Sequence, residues 1–377
     1  MKRTLIAAAC AAGYACTAHA QAAVTLYGLI DAGIFYTNNV KGHSAWQEAS
    51  GDVTGSHLGL SGSEDLGGGT KAIFRLENGF SVTNGTLRQG GRLFGYQAYT
   101  GLSDTRLGSV TLGRQYDSVV DYVAPLSFTG MHPGGNNLAA HPYDNDNLNN
   151  SFRVNNSIKY ASVNYAGLQF GALYGFSNDT GFDNNRLYSF GASYDAGPLT
   201  VAAGYFQAND GGGNTNGALT LTDATFVATS QRTYGAGAAY AFGPARVGVV
   251  WTRTQLGGLD TINGPNSLGL VQNGQGASFS NYEVNASYLV TPTLSLSGEY
   301  TFTDGALSTA SGAHRPKWHE VSLQADYLFS KRTDVYLQGS YQHIDSDGSG
   351  LTADIAAQSP SSNDQQLVVA VGLRHRF

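Results

Sequence analysis

Residues 321–329 read VSLQADYLF. Val321, Leu323, Ala325, Tyr327 and Phe329 take alternate positions, with Ser322, Gln324 and Asp326 between them. A period of two describes a strand with one apolar and one polar face. The pattern recurs. In VTLYGLIDAGIFY, residues 24–36, Val24, Leu26, Ile30, Ala32, Ile34 and Tyr36 oppose Thr25, Tyr27, Asp31 and Gly33. In LQFGALYGF, residues 168–176, Leu168, Phe170, Ala172, Tyr174 and Phe176 share one face. Sixteen such segments are expected, near 24–37, 54–65, 70–80, 92–103, 108–116, 151–162, 168–176, 187–195, 198–207, 231–242, 246–254, 280–289, 294–303, 317–329, 334–343 and 366–377.

The connections alternate in length. Short ones carry turn residues, as in DAGP, FGP and SKRT; long polar ones, such as 38–53, 117–150, 208–230 and 344–365, lie between them. Tight turns at one end and long loops at the other describe an antiparallel meander, and an even strand number lets it close without edges. Sixteen strands enclose a barrel too wide for side chains to fill. The apolar face must then point outward to lipid and the polar face inward to water. The expected fold is therefore all-β, a sixteen-stranded antiparallel transmembrane barrel. Tyr160, Tyr194, Tyr240, Tyr288, Tyr327 and Phe377 fall at one rim of the apolar face, and Tyr36, Phe80, Phe176, Tyr205, Phe302 and Tyr341 at the other. These form two interfacial belts.

Composition agrees with this reading. Only 13% of residues are charged, and there are 50 glycines and 22 tyrosines, a profile unlike an ordinary helical domain. Residues 1–20 carry Lys2 and Arg3, an apolar run and the small-residue site Ala18-His19-Ala20, the pattern of a cleaved signal peptide. Cleavage would leave residues 21–377 as one barrel domain. Cys10 and Cys16 would be lost with the signal, and 19 cations would face 27 acids. An acidic chain of this kind excludes nucleic acid as a partner.

The blocks VTLYGLIDAG (24–33), GSEDLGGGTKAIFRLENGF (62–80), GRLFGYQAYTGL (91–102), VTLGRQYDSVVDYVAPL (110–126), RVNNSIKY (153–160), GLQFGALYGFSN (167–178) and VGLRHRF (371–377) resemble the Gram-negative general diffusion porins, most closely their beta-proteobacterial branch. The resemblance implies a cell outer membrane channel for ions and small hydrophilic solutes. It also implies a homotrimer set in lipid and lipopolysaccharide, and a third long loop, residues 117–150, folded into the pore. The final aromatic, Phe377, would be read by the outer-membrane assembly machinery. In such porins wall cations face loop acids across a wet constriction, where opposed charges bias ions. Parity and the resemblance assign His57, Arg75, Tyr96, Arg153, Asp117 and Asp121 to that constriction, with Ser61, Lys71 and Lys159 also on the lumen face. His57, Ser61 and Tyr96 stand where the family commonly has cations, so weak ion preference is expected, with anions gaining as His57 protonates. Arg114 shares the outward parity of Val110 and Leu112. A charge there is costly in lipid, so it is expected at a subunit contact or against the root of the inward loop.

Catalytic and metal signatures are missing from the sequence: no H-E-x-x-H, G-x-S-x-G or P-loop pattern occurs. No cofactor is expected. A barrel enzyme would need a nucleophile and base at the rim, and an adhesion barrel a plug or added domain; neither can be assembled.

Overall fold

The computed structural model describes residues 23–132, 135–263, 271–309 and 312–377. The expected signal peptide, 1–20, lies outside them. Sixteen wall strands follow in chain order: β1 Ala23–Val40, β2 His57–Gly67, β3 Thr70–Gly79, β4 Gln97–Asp104, β5 Gly108–Gln115, β6 Val154–Ala161, β7 Leu168–Gly175, β8 Leu187–Ala196, β9 Leu199–Gly211, β10 Phe226–Phe242, β11 Ala245–Ile262, β12 Val271–Leu289, β13 Leu294–Thr309, β14 Lys317–Leu328, β15 Thr333–Asp345 and β16 Gln365–Arg376. Each pairs antiparallel with its neighbours. The sheet closes where β16 meets β1, from Leu29↔Arg376 to Thr37↔Val368. Phe377 extends the seam: its N–H donates to the Gly28 carbonyl at 3.0 Å, and the Gly28 N–H donates back at 3.1 Å. All sixteen expected segments are strands, and β10 to β13 run well beyond the expected ends.

One wall position is broken. A short strand, His43–Ser50, pairs with the upper half of β1, while β2 pairs with its lower half. Residues 51–56 between them leave the wall and turn inward, burying Asp52, Val53 and Ser56.

Alternation sets the two faces. Leu323, Leu337, Val371 and Tyr282 are exposed on the outside. Thr252, Ser322, Gln338 and Ser340 are buried on the inside. The lumen is not filled by water alone, however. Phe35, Phe206 and Phe279 also point inward and are buried, because loops pack on them. The helix α1, Ser118–Tyr122, opens the long loop between β5 and β6. Its Val119 and the following Val123 are buried against the wall with Phe152, Phe206 and Leu187. Small residues make the seat: a Cβ on Gly191 would stand 2.7 Å from the Tyr122 ring and 2.9 Å from the Ser118 carbonyl. The loop then crosses the lumen. Leu138 packs with Phe35 and Val368, and Tyr143 with Phe279 and Trp318. Two further loops fold inward: Leu219 joins the α1 cluster, while Leu351 and Ile355 enter the other two. Sequence reading had placed only the 117–150 loop inside. The few apolar residues of the others are masked among polar ones, and their burial follows from the wide barrel they cover.

Candidate functional site

The inward loops leave one side of the barrel open. A cavity of about 1000 Å³ lies between the β1–β3 wall with its 51–56 segment, the 80–96 loop, and the far arm of the 117–150 loop. Its charged lining comprises Glu48, Asp52, Glu77, Asp144 and Asp223 with Arg88 and Arg153, and His57 beside them.

Aromatic rings set the cationic side. The Arg153 guanidinium lies 4.3 Å from the Tyr96 ring centre and 5.1 Å from that of Tyr116. It also donates to Asn150 Oδ1 at 2.9 Å. Two aromatic rings thus pack on the cation, which holds the guanidinium in place without neutralising it. Burial pushes the Tyr96 hydroxyl up, so it remains a neutral donor beside the cation. Arg75, on β3, lies 5.6 Å from the Tyr27 ring and lies outside the cavity lining. Tyr27 Oη donates to Glu77 Oε2 at 2.6 Å, leaving Glu77 on the lining. His57 Nδ1 lies 2.8 Å from the Gly55 carbonyl, and its ring centre 6.1 Å from that of Tyr96. The structure therefore gathers His57, Tyr96 and Arg153 at one opening.

The two loop acids are placed differently. Asp117 is fully buried and caps α1, accepting from Val119 N at 2.7 Å and Asn147 Nδ2 at 2.7 Å. Burial pushes its carboxyl up to about 6, against those donors. It is a loop anchor and does not line the cavity, because an aspartate before a helix satisfies free backbone N–H groups. Asp121 forms an ion pair with Lys159 on β6, so this acid and that wall cation answer each other.

A sixteen-stranded closed barrel, apolar outside, with an inward loop narrowing a charged aqueous opening, has a counterpart among known proteins. Residues 6–349 match the family model described as Gram-negative porin. The chain belongs to the Gram-negative porin family. An outer membrane porin protein of Bordetella pertussis is 32% identical over 100% of both chains. The structure of an anion-selective porin from Comamonas acidovorans superposes with a TM-score of 0.71 at 25% identity, covering 95% of this chain and 100% of that one. The trimer form of in-vitro folded OmpT from Vibrio cholerae shares the fold, with a TM-score of 0.64 at 18% identity, over 94% of this chain and 99% of that one. This porin is an outer-membrane channel for passive diffusion.

One expected position is corrected. Arg114 does not face outward. Gly113 takes φ 139°, and the β5–β6 register shifts between Gly113 and Gln115. This bulge reverses the parity and turns Arg114 into the porin. There it is 7% exposed, donating to Asp223 Oδ1 at 2.8 Å and to the Gly95 carbonyl at 2.9 Å. Asp223 also receives Arg92 at 3.0 Å, Asn155 at 2.9 Å and Thr220 at 2.6 Å. Burial opposes ionisation of Asp223, but the Arg114 guanidinium together with the Thr220 and Asn155 donors outweighs it and holds the carboxyl below the usual range. The sequence offered no sign of this hub beyond the glycine before Arg114.

A second network fixes the crossing loop. His141 Nδ1 lies 2.6 Å from Asp146 Oδ2, and Nε2 lies 3.2 Å from Glu283 Oε2 on β12. Asp146 further accepts from Thr252 at 2.5 Å, and Glu283 from the Phe128 N–H at 2.6 Å. Burial alone would lower the His141 pKa, but Asp146 and Glu283 hold it well above its ordinary value.

Proposed function

We propose that this porin acts as a homotrimer of water-filled channels for ions and small hydrophilic solutes, with weak ion preference and no catalytic step. The observation that carries this reading is the 1000 Å³ opening, whose acids are offset by Arg88, Arg153 and the Arg114–Asp223 pairing. The likeness to trimeric OmpT supports the assembly. The Comamonas relative is described as anion-selective; the mixed lining here supports a weaker preference. Residues 1–20 direct export and are removed, which N-terminal sequencing of the membrane protein checks by starting at Gln21. In planar bilayers the purified porin should give ohmic steps grouped in threes, and crosslinking should give a trimer. Migration as a monomer in mild detergent, or bilayers without steps, would refute the reading.

Phe377 contributes to assembly. Its ring is 41% exposed on the outer face, against Gly28 of β1. The variant Phe377→Ala keeps the backbone seam but removes the ring from the aromatic belt and from the surface the assembly machinery would read. It should lower the heat-modifiable porin in the outer-membrane fraction several-fold. An unchanged amount would exclude this role.

A further inference from the structure

The inward segment 51–56 places a second carboxylate beside one already buried in the seam. Gly33 of β1 and Gly372 of β16 are register partners, and neither has a side chain. Asp52 reaches into the space at Gly33, and Tyr336 of β15 into that at Gly372. Tyr336 Oη lies 2.5 Å from Asp31 Oδ1 and 3.2 Å from Asp52 Oδ2. A phenol has one hydrogen to donate. The shorter contact takes it, to Asp31.

Asp31 is the better supplied with donors of the two carboxylates. Besides Tyr336, its Oδ2 accepts from the Val53 N–H at 3.0 Å and the Thr54 N–H at 2.8 Å. Arg374 of β16 lies close by, donating to Thr54 Oγ1 at 3.1 Å. Asp52 has no such supply. Its Oδ1 is buried without a partner, and its Oδ2 meets an oxygen whose hydrogen is already used. The contact becomes a hydrogen bond only if Asp52 brings the proton itself. Two nearby carboxylates in unlike surroundings divide in this way, one ionised and one neutral.

We propose that Asp52 is a specificity-determining residue of this porin: it carries a proton donated to Tyr336 Oη, and loss of that proton adds a negative charge to the pore wall and turns selectivity toward cations. This deepens the channel reading above and rests on it. Asp52 lines the cavity, so the change falls beside the ion path. Burial pushes its carboxyl up to about 7; the Asp31 charge adds to this, and the Tyr336 contact and Arg88 oppose it. The groups facing it are Asp31 on β1, Tyr336 on β15, Arg88 on the 80–96 loop, and Arg374 on β16, which is itself paired with Asp326 of β14 and Asp334 of β15. Glu48, Glu77, His57, Arg153, Asp144 and Asp223 share the same opening. Burial also pushes the Asp144 carboxyl up, to about 6, so Asp144 and the neighbouring His57 are the positions to control for.

Reversal potentials in a dilute potassium chloride gradient, between pH 6 and 8.5, test the assignment. In the wild type the potassium-to-chloride permeability ratio should rise by up to about tenfold, because a unit charge about 6 Å away in water favours the cation about threefold and disfavours the anion by the same factor. Asp52→Asn should hold the low-pH ratio throughout, while His57→Gln and Asp144→Asn retain the rise. An Asp52→Asn pore that titrates like the wild type would overturn the proposal, as would loss of the rise in His57→Gln. Should Asp52→Asn not assemble, Asp52→Ser carries the same expectation. A wild type that forms no pores would fail the channel reading instead, whereas pores that open but show no pH response fail only Asp52.

Discussion

Replacing His141 with alanine should release the loop that narrows the pore. The variant leaves Asp146 and Glu283, both buried, without the cation between them. Removing one partner of a buried pair costs about 3–5 kcal/mol. Each acid keeps other donors, Thr252 and Asn281 for Asp146, Phe128 N and Asn285 for Glu283, so the barrel itself should still form. The expected result is a lower temperature for loss of the heat-modifiable form, together with noisy single-channel current as the loop leaves the β11–β12 wall. Steady current with unchanged thermal behaviour would show that the loop is held elsewhere. The pH dependence has a definite sign. The folded pKa of His141 is raised, so its contribution is fully present below the ordinary histidine value near 6.5. It is lost as pH rises through the higher folded value. Current noise in the wild type should therefore increase in alkaline solution, and the His141→Ala channel should be noisy at every pH.

The second large effect is expected at Asp223. Its carboxylate holds Arg114 and Arg92 together with Asn155 and Thr220. In Asp223→Ala, Arg114 stays 7% exposed with a charge left unanswered, and the cost is again about 3–5 kcal/mol. Arg92 is more exposed and contributes less. Loosening should be confined to the 80–96 and 212–225 loops, so faster amide exchange there, with the seam between β16 and β1 unaffected, is the pattern to measure. Uniform exchange, or none, would contradict the hub. The sign with pH is opposite to that of His141. The Asp223 folded pKa is depressed, so its stabilisation is complete above the ordinary aspartate value near 3.9. It disappears only as pH falls through the lower folded value.

These sites differ in how far they could be read in advance. His57, Tyr96 and Arg153 were placed on the lumen face by counting residues along strands, and the structure gathers them at one opening. Counting failed at Arg114, because a bulge at Gly113 adds a residue and exchanges the faces. The family resemblance put Asp117 on the constriction, but its position before a short helix makes it a cap.

What the sequence by itself determined is local. Alternation of apolar and polar residues, as in 321–329, specifies strands. Tight turns between them specify antiparallel neighbours. Sixteen such strands are too many to pack a dry core, which sends the apolar face outward. All of this depends on residues a few positions apart. Tertiary structure decided the rest: which loops enter the lumen, where His141 finds Glu283, and how Asp52 comes to share Tyr336 with Asp31. Those contacts join positions 142, 284 and 305 residues apart. A buried carboxylate or imidazole takes its charge from whichever donors lie beside it, and only closure of the barrel brings such distant groups together.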